Sequence, residues 1–416
     1  MVVGIVGLGY VGLPLAVAFA QAGHDVVGVD SDAAKVAALD RGESYVPDIA
    51  SETIHGLGGR IRATVRYDDL AGADAILVCV PTPLTANREP DLAPLLDSVG
   101  SVAGVLRRGQ LVVVESTTYP GTTREQVGPI LERTTGLVAG ADFQLAFSPE
   151  RIDPGRTDFT MRNTPKVVGG LTAECLERAV ALYSEVCDRV VPVSTPEAAE
   201  LTKLLENIFR SVNIALVNEI AIIADRMGID IWEVVAAADT KPYGFMRFEP
   251  GPGMGGHCLP VDPFYLAWRA REFDVPTDFI ELAGAVNQKM PFFCAEKISR
   301  ALNDHGKPVK GSRVAILGVS YKAGVGDLRE SPAIKLMRLL AEQGADLVYH
   351  DDYVPRLDDF GLRGASLDEA LAGADVVAIV TAHPGLDVER VVAQAPLVVD
   401  FRGVTRGLRA ENLVRL

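Results

Sequence analysis

Basic clusters and paired cysteines are both scarce in this sequence. Lysine and arginine number 40 against 55 aspartates and glutamates, giving a formal net charge of −15, and they form no extended run. A nucleic-acid-binding cleft usually carries a basic footprint, so we expect no nucleic-acid partner. The five cysteines are an odd number, lie far apart and include no CxxC pair, which argues against a disulfide framework and against a structural metal site. A reducing cytoplasm fits this composition best.

The first 23 residues carry no charged side chain, and this uncharged stretch is long enough to suggest a membrane span. They also contain five glycines and one proline, and no basic region precedes the apolar run. We therefore expect neither a signal peptide nor a membrane partner. The 416 residues, 48% hydrophobic and 23% charged, are sufficient for two or three globular domains.

The N-terminal part alternates short apolar runs with helical stretches. Such runs predict the strands of a parallel sheet that is covered on both faces. They occupy residues 2–7, 24–30, 75–81, 111–116, 143–149 and 166–170.

Residues 195–229 predict one long helix, with Thr195 or one of its neighbours as the cap ahead of Pro196 and Glu197. Apolar residues recur at helical spacing around most of its girth: Leu201, Leu204, Leu205, Ile208, Val212, Ala215, Leu216, Ile220 and Ile223. A helix this apolar is usually buried, so we expect it to link the domains and to form a subunit interface.

After residue 310 the alternation returns, with strands expected at 312–320, 346–351, 375–380 and 396–401 and helices near 331–343 and 366–372. The predicted fold class is α/β, with two Rossmann-like parallel-sheet domains joined by a long central helical segment. Its predicted parts are residues 1–194, a central segment of residues 195–305, and residues 306–416.

Gly7-Leu8-Gly9-Tyr10-Val11-Gly12 spells G-x-G-x-x-G between the first strand and its helix. Asp30 ends the second strand 18 residues later, where a carboxylate can reach the ribose of a dinucleotide. The alternative is a glycine-rich turn with no ligand. The complete pattern predicts a dinucleotide site, and Asp30 favours NAD over NADP because a 2′-phosphate would meet a carboxylate.

Cys258 stands in a loop of glycine and proline, GPGMGGHCLPVDPFY, at residues 251–265. Structural thiols usually lie in apolar elements, as expected for Cys79, Cys175, Cys187 and Cys294. From this placement alone, Cys258 is either a nucleophile or a packing thiol. Asp262 follows in a rigid Pro-Val-Asp-Pro stretch, and His257 is not expected to act as the base.

Lys203, Asn207 and Arg210 lie four and three residues apart on the long helix and so share a face. By their spacing alone they form either a solvated stripe or the wall of a site.

The chain resembles the UDP-glucose/GDP-mannose dehydrogenase family over nearly its whole length. The resemblance rests on motifs in the family's order: GLGYVGLPLA (7–16), CVPTP (79–83), ESTTYPGTT (115–123), SPERIDPG (148–155), LLENIFRSVNIALVNE (204–219), PGPGMGGHCLPVDPF (250–264) and GVSYKAGVGDLRESPAIKL (318–336). It implies a four-electron oxidation at C6 of a nucleotide sugar, from alcohol to carboxylate. The Cys258 thiol would form first a thiohemiacetal and then a thioester, which water would hydrolyse.

The resemblance also implies a role for each matching residue. Lys203 would stabilise the oxyanion, Asn207 would share that task, and Asp262 would activate water or tune Lys203. The implied catalytic residues are Cys258, Lys203, Asn207, Asp262, Glu150 and Thr117. The expected cofactor contacts are Gly7, Gly9, Tyr10, Val11, Gly12, Asp30, Pro81, Thr82, Thr117 and Arg329. The expected substrate contacts are Glu150, Arg151, Lys203, Asn207, Arg210, Asn213, Gly255 and Lys322.

Two departures from the family's UDP-glucose enzymes bear on the substrate. Pro154 stands where many of them carry a second glutamate, and His257 stands where a small residue often precedes the cysteine. The sequence is more similar to the UDP-N-acetylhexosamine branch, which favours UDP-N-acetylglucosamine, with UDP-N-acetylmannosamine and UDP-glucose as alternatives. A single-hydride NAD dehydrogenase and a non-enzymatic nucleotide-sugar sensor remain open. We also expect a homodimer or larger homo-oligomer that serves polysaccharide biosynthesis.

Overall fold

The computed structural model describes residues 1–85, 87–153, 158–256 and 259–416. The chain divides into two compact units. The first comprises residues 1–206 and 264–275, and the second comprises residues 207–263 and 276–416. The three domains predicted from the sequence remain a prediction, because this division gives two units and does not test them.

The first unit is built on an eight-stranded sheet of order β3-β2-β1-β4-β5-β6-β7-β8. Its strands are β1 Val2–Val6, β2 Asp25–Val29, β3 Ile61–Thr64, β4 Ala75–Val78, β5 Leu111–Val114, β6 Gln144–Phe147, β7 Lys166–Gly170 and β8 Val190–Val193. Its helices are α1 Gly12–Gln21, α2 Ala33–Asp40, α3 Ser51–Gly56, α4 Ala93–Ala103, α5 Gly128–Thr135 and α6 Ala173–Ser184. Separate apolar clusters cover the two faces of the sheet, which explains why its central strands are continuous apolar runs.

The sheet is parallel except at one junction. β6 and β7 pair antiparallel, with Phe147 opposite Gly169, whereas the sequence predicts parallel strands throughout. The six predicted strands of this sheet are confirmed, while the edge strand β3 and the last strand β8 were not anticipated. Both are short and carry half-exposed or polar positions, so the apolar signal of a central strand is missing.

The predicted long helix is present as α7, Pro196–Met227, and Thr195 Oγ1 accepts a hydrogen bond from Ala198 N at 3.2 Å as a cap. Its inward face carries polar side chains, since Lys203, Asn207 and Asn218 are buried. Its outward face carries an exposed apolar stripe: Leu201, Leu205, Phe209, Leu216, Ile220, Ile223 and Met227. The buried part of the helix thus combines these polar groups with apolar residues such as Leu204, Ala221 and Ala224.

By length and composition alone, α7 could cross a membrane. A third of its most apolar 18-residue window is buried within the chain, and one such helix is weak evidence because a core helix passes the same test.

The second unit carries the remaining helices and a five-stranded parallel sheet of order β10-β9-β13-β14-β15. The helices are α8 Ile231–Asp239, α9 Asp262–Ala270 (shared with the first unit), α10 Asp278–Asp304, α11 Pro332–Glu342, α12 Leu367–Leu371 and α13 Val388–Gln394. The sheet strands are β9 Arg313–Leu317, β10 Asp346–His350, β13 Val376–Ile379, β14 Val398–Asp400 and β15 Leu413–Arg415, and a hairpin pairs β11 Arg356–Leu357 with β12 Leu362–Arg363. The four predicted strands and both predicted helices are present; the hairpin and β15 were not anticipated.

Candidate functional site

The glycine turn after β1 has the geometry that its sequence predicts. Gly7 adopts φ +90°, and a Cβ there would lie 2.7 Å from the carbonyl oxygen of Cys79. A Cβ on Gly12 would lie 1.8 Å from the carbonyl oxygen of Gly7. A Cβ on Gly9 would meet no described atom within 4 Å beyond its chain neighbours. Two glycines therefore permit the fold of the turn, and the middle one leaves its outer surface open.

Asp30 lies at the carboxyl end of β2 and is 7% exposed. Its Oδ2 accepts a hydrogen bond from Leu8 N at 2.8 Å and lies 3.3 Å from Lys35 Nζ, while its Oδ1 accepts from Asp32 N at 2.9 Å. The carboxylate is thus held against the glycine turn, where the dinucleotide fold places the group that binds a ribose.

These residues fit NAD. No described side chain caps the first turn of α1, so no side chain competes with a pyrophosphate for the N-terminus of this helix. Tyr10 is 49% exposed beside the turn. Thr82 Oγ1 donates to the carbonyl oxygen of Thr117 at 2.7 Å, which joins the segments after β4 and β5 along the edge that carries the glycine turn. Pro81, next to Thr82, is exposed.

Glu150 belongs to a buried cluster of charges in the first unit. Lys166, the first residue of β7, places Nζ 2.6 Å from Glu115 Oε2 and 3.5 Å from Glu150 Oε2. The hydroxyl of Tyr183 donates to the other oxygen of Glu115. Glu150 Oε1 accepts from Arg151 N at 2.7 Å and from Ile152 N at 2.6 Å. Both oxygens of Glu150 are therefore fixed from within the protein.

Burial by itself would raise the pKa of Glu150. The Lys166 ammonium, the N–H of Ile152 and the charge of Lys203 outweigh burial and hold that pKa below its ordinary value. Burial would lower the pKa of Lys166, but Glu115 and Glu150 raise it above its ordinary value. Lys166 is thus protonated and Glu150 ionised at neutral pH.

Lys203 and Asn207 lie one turn apart on α7 and are 8% and 5% exposed. A solvated stripe is therefore wrong for these two residues, while Arg210 is exposed and does not share their burial. In the second unit, Asn207 Nδ2 donates to Asp262 Oδ2 at 2.6 Å, and Asp262 is 2% exposed. Asn213 Nδ2 donates to the carbonyl oxygen of Phe209 within the helix.

Cys258 and His257 lie outside the described residues, as does Pro154. The glycines before the cysteine pack closely on the segment that follows β9. A Cβ on Gly255 would lie 2.6 Å from Tyr321 Cβ and 2.8 Å from the carbonyl oxygen of Glu330, and Gly256 N donates to the carbonyl oxygen of Arg329 at 2.9 Å. Gly255 is thus needed so that this loop can approach another backbone closely.

A buried amide network fixes the start of the same loop. Asn218 Oδ1 accepts from Gly251 N at 2.9 Å, and Asn218 Nδ2 donates to Asn287 Oδ1 at 3.0 Å. Asn287 Nδ2 donates in turn to the carbonyl oxygen of Ser211 at 3.1 Å. The helix α7 therefore holds the loop at Gly251 and, through Asn207, at Asp262.

The segment between β9 and α11 carries the two expected ligand contacts of the second unit. Arg329 Nε and Nη2 bind the carboxylate of Asp327 at 3.0 and 2.6 Å, and Lys322 is half-buried. Ser331 caps α11 by accepting a hydrogen bond from Ala333 N. In the first unit, Arg151 Nη2 lies 2.6 Å from Glu206 Oε1.

Sequence reasoning missed Glu115, Lys166, Asn218 and Asn287. Two of them had a visible signal, since Glu115 ends the apolar run LVVVE and Lys166 begins the run KVVGG. A charge at the end of a buried strand needs a partner, and these two partner each other. The asparagines gave no such signal, because they stand in amphipathic helices where polar residues are expected.

Comparisons with known proteins agree with this architecture. Models of the UDP-glucose/GDP-mannose dehydrogenase family match at residues 1–187 (NAD binding domain), 197–289 (central domain) and 315–407 (UDP binding domain). A UDP-N-acetyl-D-mannosamine dehydrogenase of Pyrococcus horikoshii is 35% identical over 98% of this chain and 100% of its own length. A UDP-N-acetyl-D-glucosamine 6-dehydrogenase of Pseudomonas aeruginosa is 37% identical over 86% of this chain and 84% of its own.

Among solved structures, a UDP-D-ManNAc dehydrogenase from Pyrococcus horikoshii matches with a TM-score of 0.92 and 34% identity. The match covers 100% of this chain and 99% of that one. The chain therefore belongs to the UDP-glucose/GDP-mannose dehydrogenase family and is an NAD-dependent oxidoreductase.

Proposed function

We propose that this protein oxidises C6 of a UDP-N-acetylhexosamine from alcohol to carboxylate. The observation that carries the proposal is the buried polar face of α7, where Lys203 and Asn207 lie one turn apart and Asn207 binds Asp262. Burying an ammonium and an amide costs free energy, which a catalytic role accounts for.

The sugar proposed first is UDP-N-acetylglucosamine, on the sequence pattern around Glu150 and Cys258. The relative from Pseudomonas aeruginosa supports this choice. UDP-N-acetylmannosamine is the second candidate, because the relatives from Pyrococcus horikoshii and Escherichia coli, both 35% identical, carry that name.

Each catalytic residue has a proposed task that its surroundings permit. The glycine turn and Asp30 would hold NAD, which would supply the hydride acceptor for each of the two oxidations. The thiol of Cys258 adds to the C6 aldehyde and later leaves the acyl carbon as water enters. Lys203, buried on α7, stabilises the oxyanion on C6, and Asn207 donates to the same oxygen or orients water. Asp262 fixes the amide of Asn207 through their hydrogen bond.

The hydrolysis consumes one water and returns the thiol. Glu150 is ionised and both its oxygens are held, so it can accept the proton that the attacking water loses. Thr117 follows β5, and Arg151 is the residue after Glu150. The residues proposed to contact the substrate are Arg210, Asn213, Gly255 and Lys322. Arg329 is proposed to reach the cofactor.

The test is the amount of NADH formed per nucleotide sugar consumed, measured in parallel on UDP-N-acetylglucosamine, UDP-N-acetylmannosamine, UDP-glucose and GDP-mannose. We expect a ratio near two on a UDP-N-acetylhexosamine, because the thioester route removes two hydrides. A ratio near one would instead indicate a single-hydride dehydrogenase.

The control is Cys258→Ser, with the buried Cys294→Ser as a matched cysteine variant. We expect the first to lose carboxylate formation and the second to keep it. Equal carboxylate formation by both variants would exclude the thioester route. Binding of nucleotide sugar without turnover by the wild-type protein would favour a sensor.

A further inference from the structure

We propose that Lys166 is a positioning residue for the reaction: held by Glu115 and Tyr183, its ammonium fixes Glu150 as an ionised carboxylate for the hydrolysis step. The proposal rests on the proposed function, since it concerns the step that releases the acid product. Lys166 itself is buried away from solvent at 3% side-chain exposure, so it acts through Glu150.

The cluster is costly to build. The side chains of Lys166 and Glu115 are 3% and 0% exposed, and Tyr183 is fully buried over the lysine. A well-packed apolar pair of similar volume is often at least as stable as a buried ion pair. Stability alone therefore gives no reason to keep a lysine here, and a task beyond stability accounts for it.

The task follows from how Glu150 is held. Its Oε1 accepts two backbone N–H groups, and its Oε2 lies 3.5 Å from Lys166 Nζ. The Glu150 side chain is 13% exposed, so it is not completely enclosed. The ammonium thus fixes the oxygen that the backbone leaves free.

The charges around Glu150 all bear on its protonation. Lys166 and Lys203 favour the ionised form, and Glu115 is bound to Lys166 on the other side of the ammonium. The Arg151 guanidinium is engaged with Glu206 and the carbonyl oxygen of Pro165. Burial raises the pKa of Cys187 to about 11 and that of Cys79 further, so both nearby thiols are neutral. Among these groups Lys166 lowers the pKa of Glu150 most.

The sign of the pH effect follows. The activity that needs ionised Glu150 is lost as pH falls through its pKa, which Lys166 holds below the ordinary value. Without Lys166, burial raises that pKa, and the acid side of the pH profile moves upward. The hydrolysis step then becomes slow at a pH where the wild-type enzyme still works.

The experiment compares the wild type with Glu115→Gln/Lys166→Met and with Lys166→Arg. Lys166→Met alone would leave Glu115 buried without a positive charge beside it and would endanger folding, whereas the double variant removes both charges together. Lys166→Arg keeps the positive charge. Thermal unfolding of each variant is measured first, and then the rate of NADH formation from pH 5 to pH 9.

We expect the double variant to fold and to move the acid limb of kcat upward by about one pH unit or more, the effect of losing one close opposite charge. Below the new limb, a burst of NADH should precede a slower steady state, because the thioester accumulates. Lys166→Arg should keep the wild-type limb without a burst. A folded double variant with the wild-type limb and no burst would overturn the proposal.

A second readout separates the proposal from the proposed function. The protonation of Glu150 can be followed by infrared difference titration without substrate, with Glu150→Gln to assign its band. An upward shift in the double variant supports the proposal even if the wild type oxidises no UDP-sugar, and an unchanged band in a folded double variant refutes it.

Discussion

On the residue scale, Gly9 and Gly12 of the same turn differ in how much room each leaves for a side chain. A methyl group on Gly12 would overlap the carbonyl oxygen of Gly7, whereas a methyl group on Gly9 would enter open space. The fold thus requires glycine at position 12, whereas the described residues would accommodate a larger residue at position 9.

We therefore predict opposite outcomes for two matched substitutions. Gly12→Ala should lower the free energy of unfolding by about 3 kcal/mol, since backbone must move to relieve the overlap. Gly9→Ala should leave thermal unfolding unchanged but weaken NAD binding about tenfold or more, because the methyl group meets the pyrophosphate. Calorimetry and NADH fluorescence titration measure the two effects. Unchanged NAD affinity in Gly9→Ala would contradict the placement of the pyrophosphate.

Residue identity was predictable from the sequence where chemistry dictates a pattern, as for the glycine turn and Asp30. Which neighbours on a helix are buried was not. Lys203, Asn207 and Arg210 share a helix face by spacing, yet the first two are buried and the third is exposed. Burial depends on what packs against the helix, and spacing along one element carries no information on that.

On the scale of elements, α7 supports the cysteine loop at two points. Asn218 binds Gly251 and Asn207 binds Asp262, so both of these residues are held by one helix. A nucleophile on a glycine-rich loop gains precision from such support, because loops are otherwise mobile.

Asn218→Ala should release the first of these ties. It leaves Gly251 N and Asn287 Oδ1 without their partner, and we expect a loss of about 2 kcal/mol or more in stability from the buried unpaired groups. We also expect a lower kcat with little change in KM, since the proposed nucleophile Cys258 belongs to this loop. Asn303→Ala, at an exposed position of α10, is the matched control and should change neither quantity. Equal effects of the two variants would refute the role of the network.

Strands were predictable from the sequence where they lie in the centre of a sheet. The apolar runs that form β1, β2, β4 and β5 are unmistakable, because both faces of each strand are covered. The edge strand β3 reads IRAT and is half-exposed, so its pattern resembles a loop. The antiparallel pairing of β6 with β7 was not predictable, since a strand's direction depends on the path of residues 148–165 and not on its own composition.

On the scale of the whole molecule, the exposed stripe of α7 is the largest departure from an ordinary surface. Leu205, Leu216 and Met227 are 63%, 58% and 67% exposed, and they lie on one side of the helix. Apolar surface of this extent usually marks a contact with another protein, so we propose a homodimer or larger homo-oligomer.

Light scattering at micromolar concentration should therefore give at least twice the 44.3 kDa mass of the chain. Leu216→Arg should shift the protein toward the monomer, because a buried guanidinium would have no partner in an apolar interface. Val65→Arg is the control, since Val65 is also half-exposed but stands after β3, away from α7. A monomeric wild-type mass would contradict the proposal.

The exposed apolar stripe of α7 also has a consequence for the production of the protein in cells. The polar side chains that α7 turns inward need the rest of the fold before they are paired, while its leucines and isoleucines are exposed as soon as the helix forms. A newly synthesised chain therefore exposes an apolar, aggregation-prone surface before the rest of the protein has folded. Slow expression at low temperature, or an excess of chaperone, should raise the recovered fraction of this protein more than that of a relative with a polar helix surface.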